Sequence, residues 1–457
     1  MDLQAGKRYN RGMILRKPAA RFVLWYLRAL AKIQLSKINP VVIGIGGASG
    51  KSSTCSLVAA SLSSKFKVKA GKGKNSETGV PLDILGINPG NYTFLDWVRI
   101  ILTAKLQLLI NWNKYDIYVA EMGIDGPNEP KNMSYLLKIV KPKIAALTNI
   151  TWEHSLYFDE AIKEDDEEKR ADKILARTAE EEIKLLTSLG LTDTAVINLD
   201  DRIVASYLHD IKAKKMTIST YDKNADFYAE ISSSNLNSFE MNVTSRGRKY
   251  KFSLDFPLPP HYAHTFLLSI AIANSQGILV ESAIKSLTSG FSLPPGRFSI
   301  FKGIKETTII DSSYNNATIV PIEDILDFVA TSNAKRKVGV LGDMRELGSI
   351  TRQLHERLAG KIAENLDVAF LIGDAMSEFV VPILKKKNKK IYAFRTFSEA
   401  KDSILKNIES GDLILVKGSQ NKLFLERAVE ILLKDKKDTQ KLVRRGEFWD
   451  NKRKETL

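Results

Sequence analysis

Gly44-Ile45-Gly46-Gly47-Ala48-Ser49-Gly50-Lys51-Ser52-Ser53-Thr54 follows the apolar run Val41-Val42-Ile43 and opens a helical pattern. The run predicts a strand over Val41–Gly46, a glycine-rich turn, and a helix from about Lys51. Glycines let backbone N–H groups close around phosphate oxygens, and the helix N-terminus adds positive potential. Lys51 would reach terminal phosphates and Ser52 could hold magnesium. The generic phosphate-loop pattern asks for glycine where Ile45 stands, so the reading rests on the Gly-Lys-Ser-Ser ending and the strand-to-helix context.

Working outward, strands at residues 117–120 and 144–147 continue a strand and helix alternation, which implies a parallel sheet. Residues 94–112 form a long apolar helix interrupted by Arg99, Lys105 and Asn111, expected in the core rather than in a membrane. The acid- and base-rich stretch 159–170 reads as a solvated helix face or loop. A second alternation places strands at 338–341, 369–372, 391–394 and 413–416 and predicts a Rossmann-like unit. The fold class is therefore α/β: a P-loop central domain with a mostly parallel sheet over 41–298, and a Rossmann-like C-terminal α/β domain over 299–435. A basic amphipathic helix region, 1–40, would precede them, and a charged tail, 436–457, is expected to fray.

With 457 residues, 44% of them apolar and 26% charged, the chain is too long for one core and too apolar for a disordered protein. A single cysteine, Cys55, excludes an intramolecular disulfide framework and a multi-cysteine zinc site. It fits a reducing compartment, and the first ten residues show no export pattern, so a cytoplasmic location is expected. A formal charge of +15 would suit nucleic acid, an anionic membrane or phosphorylated substrates. Lys7, Arg8, Arg11, Arg16, Lys17, Arg21, Arg28, Lys32 and Lys37 stand against Asp2 alone, so about half of the excess lies ahead of the loop. No nucleic-acid partner is expected. Residues 19–35 read as an amphipathic helix with Arg21, Arg28 and Lys32 on one stripe. Two readings stay open: docking on the following domain, or peripheral contact with an anionic leaflet at the inner face of the membrane.

Further motifs stand in order. They are Asn75-Ser76-Glu77-Thr78-Gly79-Val80-Pro81, Glu121-Met122-Gly123, Thr148-Asn149-Ile150-Thr151-Trp152-Glu153-His154, Pro295-Gly296-Arg297-Phe298, Asp311-Ser312-Ser313-Tyr314-Asn315-Asn316, Leu341-Gly342-Asp343-Met344-Arg345-Glu346 and Val416-Lys417-Gly418-Ser419. Taken singly, Glu121 reads as a surface carboxylate, His154 as a capping or core histidine, and Gly296-Arg297 as a linker. As an ordered set from about 41 to 433, with the loop, they resemble the Mur ligase family, most closely the type that adds D-alanyl-D-alanine to a UDP-muramoyl tripeptide.

The resemblance implies an amide-forming ligase that uses ATP and Mg²⁺, activates a carboxylate as an acyl phosphate and adds an amino acid or dipeptide to a peptidoglycan precursor. The acceptor would be a small molecule or peptide, UDP- or lipid-linked. Lys51, Glu121, His154 and Arg297 would be catalytic. Gly47, Ser49, Gly50, Lys51, Ser52, Ser53, Thr265, Arg297, Asp311, Tyr314 and Asn315 would bind nucleotide, with Arg297 at the γ-phosphate and Asp311 at the ribose. Ser52, Glu121, His154 and Glu182 would bind metal. Asn75, Asp343, Glu346 and Lys417 would face the substrates.

Three departures stand out. The forty residues before the loop read as a basic helix, not as the family's UDP-sugar-binding domain. Thr265 occupies the place of the family's adenine-contacting asparagine. Glu182 falls where the family carbamylates a lysine to bridge magnesium ions, with Lys184 or Lys173 the alternatives if the helix register differs. The departures keep a second class open, a nonenzymatic ATP-binding scaffold, while the net charge alone favours a nucleic-acid-dependent ATPase.

Overall fold

The computed structural model describes residues 17–71, 73–90, 92–314, 318–419 and 422–454. The phosphate-loop strand β1 (Val41–Gly46) is buried almost throughout. Its sheet also contains β2 (Val68–Ala70), β3 (Ile117–Glu121), β4 (Ile144–Leu147), β5 (Thr194–Asn198), β6 (Lys214–Ser219), β7 (Phe227–Ser234), β8 (Phe239–Ser245) and β9 (Arg248–Leu254). The order is β2-β3-β1-β4-β5-β6-β7-β8-β9. The pairs from β2 to β7 are parallel, and β7 to β9 form an antiparallel meander. The parallel core strands β3 and β4 are wholly buried, as continuous apolar runs covered on both faces must be. β1 lies between β3 and β4, so the chain order reverses beside it and opens a crevice at the strands' carboxyl ends.

The second sheet contains β10 (Ser299–Lys302), β11 (Thr308–Ser312), β12 (Lys337–Gly342), β13 (Val368–Ile372), β14 (Lys390–Phe394) and β15 (Leu413–Lys417), in the order β10-β11-β15-β12-β13-β14. Only β10 pairs antiparallel. All four strands expected in this part of the chain are present, each extended by one or two residues. Its own switch point lies at β12, between β15 and β13, so Asp343 and Lys417 both stand at carboxyl ends of central strands.

Ahead of β1, helix α1 (Lys17–Ile38) buries Val23, Leu27 and Ala31. It packs on α3 (Gly79–Leu85) and α4 (Phe94–Ile110), and Tyr26 Oη donates to Ile101 O at 3.1 Å. Helix α2 (Lys51–Leu62) carries the loop's lysine at its first turn.

Two expectations need correction. The helix expected to be core is α4, but it buries only Trp97, Ile100 and Ala104, while Leu95 is 77% exposed and Leu102 68%. Its apolar residues run all round the helix, and one arc suffices to reach α1 and α3. The tail expected to fray instead folds back, ending in the helix Glu447–Lys454. Arg444 is buried, pairs with buried Glu426 at 2.9 Å, and lies over the rings of Tyr314, Phe424 and Trp449. A guanidinium is more weakly hydrated than an ammonium and stacks on aromatic faces, so it tolerates this site.

Removing one partner of a buried ion pair strands the other charge. Arg444→Met should therefore lower the unfolding free energy by about 3–5 kcal/mol, whereas Lys441→Met, at a solvent-exposed position of the same tail, should leave the urea midpoint unmoved. Equal midpoints for the two variants would contradict this account of the tail.

Candidate active site

Gly47 and Gly50 have φ of +105° and +85°, a left-handed conformation that glycine adopts without penalty. At Gly47 the space is also closed, because an added Cβ would stand 2.4 Å from Thr148 Oγ1. The turn is pinned from β4: Ala48 N donates to Asn149 O at 2.8 Å and Ser49 N to Asn149 Oδ1 at 3.0 Å. Lys51 turns its Nζ onto the carbonyls of Gly47 and Ala48, at 2.6 and 2.5 Å, with Glu153 Oε2 at 3.4 Å. Burial alone would depress this ammonium, but Glu153, Glu182 and Glu121 together hold its pKa above the ordinary value.

Glu182 comes into the loop itself. It is buried at the end of the helix Glu167–Glu182 and its Oε2 accepts from Gly47 N at 3.0 Å. Burial pushes its carboxyl up to about 7, against the pull of Lys51 and of the Gly47 N–H. Of the three positions the sequence left open, only Glu182 is placed at the loop; Lys173 pairs with Glu164 and Lys184 with Glu181.

Glu121, at the end of β3, is held by three donors: Ser52 Oγ at 2.8 Å, Asn75 Nδ2 at 3.2 Å and Gly73 N at 3.1 Å. Asn75, expected on the substrate side, thus acts here on Glu121. His154, expected with Glu121 among the metal ligands, is engaged by other carboxylates. His154 Nδ1 donates to Glu346 Oε2 at 2.7 Å, and its Nε2 faces Asp125 at 3.7 Å. Among the described residues no three His, Cys, Asp or Glu side chains converge as a metal site. A hydroxyl and a carboxylate already in contact do suit a hard cation such as Mg²⁺, which keeps several waters and binds through one or two carboxylates plus phosphate oxygens.

His154 and Glu346 join the two sheets' units. Leu156 N donates to Glu346 O at 2.9 Å, and Asp159 accepts from Ser349 N at 2.9 Å and from Arg170 Nε at 2.6 Å. Burial lowers the His154 imidazolium, but its bond to Glu346 and the charges of Glu153 and Asp125 raise it on balance. Asp159 therefore belongs to a buried junction, not to the solvated face the sequence suggested.

Beside the loop lies a cavity of about 420 Å³ walled by both units. Ser49, Gly50, Ser53 and Asn149 line its loop side, His261, His264, Thr265 and Leu268 one wall, and Arg297, Ser312 and Lys417 the other. His264 Nε2 is 2.7 Å from Asp200 Oδ2. Burial opposes ionisation of Asp200, yet hydrogen bonds from His264, Ser219 and Thr220 hold it well below the usual carboxylate range. Thr265 is buried and its position stands on the cavity wall.

Lys417 Nζ and Arg297 Nε are buried without a hydrogen-bond partner among the described residues. Burial, reinforced by Arg297, brings Lys417 down to about 7. Two buried donors with nothing to donate to, on the wall of a cavity opposite a phosphate loop, fit a polyanionic ligand.

Asp311 is wholly buried, accepts from Ser313 N at 3.0 Å and is raised to about 6 by burial. Its neighbour Ser312 lines the cavity in its place. Tyr314 packs under Arg444 and Arg297, and Asn315 lies outside the described residues. Asp343 does not reach the cavity: it accepts from Met376 N at 2.8 Å and caps the turn after β13.

Sequence reasoning passed over Glu153, Asn149, Asp200 and Arg444. Asn149 and Glu153 stood inside a quoted motif, so β-strand position could have singled them out. Arg444 had no signal, because its ring partners and Glu426 meet only in the fold.

Residues 45–273 match the model of the Mur ligase middle domain, and residues 296–420 that of the Mur ligase glutamate ligase domain. A UDP-N-acetylmuramoyl-tripeptide--D-alanyl-D-alanine ligase of Bacillus subtilis is 26% identical over 89% of this chain and 79% of its own length. The relative of the same name from Synechocystis is 25% identical over 73% of this chain, which spans 62% of that protein. MurF from Thermotoga maritima in complex with ADP superposes with TM-score 0.71 at 21% identity, covering 92% of this chain and 84% of that one. MurF from Acinetobacter baumannii gives 0.70 at 22%, covering 89% and 79%.

The titration of Lys417 yields a signed prediction. An unfolded lysine titrates at about 10.4, and Lys417 in the fold at about 7. Between these values the unfolded chain holds the extra proton, so the cost of burying Lys417 is full below the folded pKa and fades as pH rises. Lys417→Met should raise the urea midpoint at pH 7 by an increment that shrinks toward pH 10 or so. An increment constant over that range would contradict the assignment.

Proposed function

Because the chain belongs to the Mur ligase family, we propose that it is an ATP- and Mg²⁺-dependent carboxylate–amine ligase that adds an amino acid or dipeptide, such as D-alanyl-D-alanine, to a peptidoglycan precursor. The observation that carries this reading is the pairing, across one cavity, of a phosphate loop on one unit with the buried, unpartnered Lys417 ammonium and the half-buried Arg297, whose Nε is unmet among the described residues, on the other.

In the proposed reaction an acceptor carboxylate oxygen attacks the γ-phosphorus of ATP and ADP leaves. The amine then adds to the acyl carbon of the acyl phosphate, phosphate departs, and the nitrogen loses a proton to leave an amide. Loop N–H groups from Gly50 onward and Lys51 would hold the phosphates, and Lys51 would exchange its loop carbonyls for phosphate oxygens. Arg297 and Lys417 would offset charge on the phosphoryl group in transfer, where preorganised donors contribute most. Lys417, held near 7 by burial and by Arg297, would be driven to its charged form by that polyanion. Ser52 and Glu121 would hold Mg²⁺, with Glu182 as a further carboxylate, and the ion would neutralise charge on the bound phosphates. Glu182 would thus supply permanently what the family makes from lysine and carbon dioxide. His154 and Glu346 would keep the two walls at a fixed separation. Glu346 is also the substrate-side candidate nearest this junction, whereas Asp343 positions backbone.

The acceptor in this reading is UDP- or lipid-linked and the site of action is cytoplasmic, in peripheral contact with the inner face of the membrane. The direct test supplies ATP, Mg²⁺, a UDP-muramoyl tripeptide and either D-alanyl-D-alanine or single amino acids, following phosphate and product mass together. Phosphate release should require both the carboxylate and the amine, and Lys51→Ala should abolish it; ATP binding without amine-dependent release would identify a scaffold instead. Glu182→Gln should raise the magnesium concentration needed for half-maximal rate, Glu180→Gln should not, and bicarbonate depletion should leave the wild type unaffected. A wild type silenced by bicarbonate removal would overturn the role given to Glu182.

A further inference from the structure

Helices α1 and α4 run side by side, joined by Tyr26 to Ile101 O, Gln34 to Asn111 O and Lys37 to Leu108 O. Each buries one arc in the small core with α3 and presents another outward. On α4 the outward arc is Leu95, Val98, Leu102, Leu106 and Leu109, at spacings of three and four, the repeat of a single helical stripe. On α1 the outward residues are Phe22, Trp25 and Ile33, again one stripe, adjoining the α4 contact. Trp112, 66% exposed, closes the lower end with Lys37 Nζ 3.7 Å above its ring. Contiguous exposed apolar surface of this extent marks an interaction site. Among the described residues no helix is long and apolar enough to cross a membrane.

We propose that this α1/α4 face docks on an anionic lipid surface, lying in the headgroup layer with its leucines and tryptophans inserted. Two observations select lipid as the occupant. The first is charge complementarity: Arg21, Lys32 and Lys105 are exposed on the same two helices, and the sequence ahead of α1 carries Lys7, Arg8, Arg11 and Arg16 against Asp2 alone. A second copy of the chain would bring the same cations against themselves, whereas an anionic leaflet meets them with opposite charge. The second is the composition of the face, aliphatic in the middle and aromatic at Phe22, Trp25, Phe94 and Trp112, the pattern of helices that lie in the interface plane. The inference rests on the membrane contact proposed above and names the face that makes it; vesicle binding can fail while ligation stands, so the two are tested separately.

Vesicle sedimentation of the full chain tests it. With phosphatidylcholine vesicles containing phosphatidylglycerol, the wild type should pellet at about 0.05 M salt and much less at about 1 M. Partition onto pure phosphatidylcholine should be roughly tenfold weaker. Leu102→Gln, Leu106→Gln and Leu109→Gln together should lower partition by roughly tenfold or more, with an unfolding midpoint equal to the wild type's as the control for fold. Lys32→Glu with Lys105→Glu should abolish the preference for anionic vesicles. Equal pelleting with both lipids, absence of pelleting, or wild-type partition by the triple glutamine variant would overturn the proposal. So would a wild-type dimer in sedimentation that the triple variant converts to monomer, since a second copy would then cover the face.

Discussion

One ammonium, Lys51, sits in the loop with three carboxylates, Glu153, Glu182 and Glu121, close enough to govern its charge. That concentration of opposite charge is possible because the backbone at Gly46 and Gly47 has no side chain in the way. An added Cβ at Gly46 would stand 3.1 Å from Glu182 Oε2 and 2.8 Å from Leu185. The chain must therefore cross β1 to the switch point of the sheet with glycine at both positions before the helix Glu167–Glu182 can deliver its last residue into the loop. Glu121 and Asn149 arrive from the two strands that flank β1. The rest of the site is arranged around that turn.

Across the cavity the polarity reverses. The loop side holds carboxylates around a satisfied lysine, and the far wall holds Arg297 and Lys417 with buried donors unmet. A ligand carrying several negative charges would relieve the far wall and draw Lys51 off its own carbonyls, so binding and preorganisation are coupled. The two walls belong to different sheets. Their spacing depends on His154 with Glu346, on Asp159 with Ser349, and on the returning tail, whose Arg444 fixes Tyr314 beneath Arg297.

Much of this was legible in the chain. Strand and glycine-turn patterns placed β1, β3, β4 and the four strands of the second alternation, because fully buried parallel strands are short apolar runs bounded by turns. The antiparallel meander β7–β9 was missed although β8 and β9 place apolar residues at every second position, because continuous apolar runs mark only strands buried on both faces, and a half-buried strand shows itself by period-two alternation instead. The ordered motifs located Glu121, His154, Lys417 and Asp343, but not their duties. Whether a carboxylate faces the cavity, as Glu182 faces the loop, or caps a neighbouring turn, as Asp343 does, depends on side-chain direction and on partners far off in sequence. For the same reason α4 was read as core: composition reports how apolar a helix is, and only packing reports which arc finds a partner. Arg444, buried among rings in a segment dense with charge, is the case where local composition pointed the wrong way.

The central claim is that these two walls transfer a phosphoryl group to a carboxylate and then exchange it for an amine. The most direct measurement supplies a precursor whose acceptor carboxylate carries ¹⁸O, together with ATP, Mg²⁺ and the amine, and reads the isotope in the released phosphate by mass spectrometry. The account predicts that each turnover carries one labelled oxygen from the carboxylate into phosphate. Phosphate free of label, released while ATP is consumed, would contradict it.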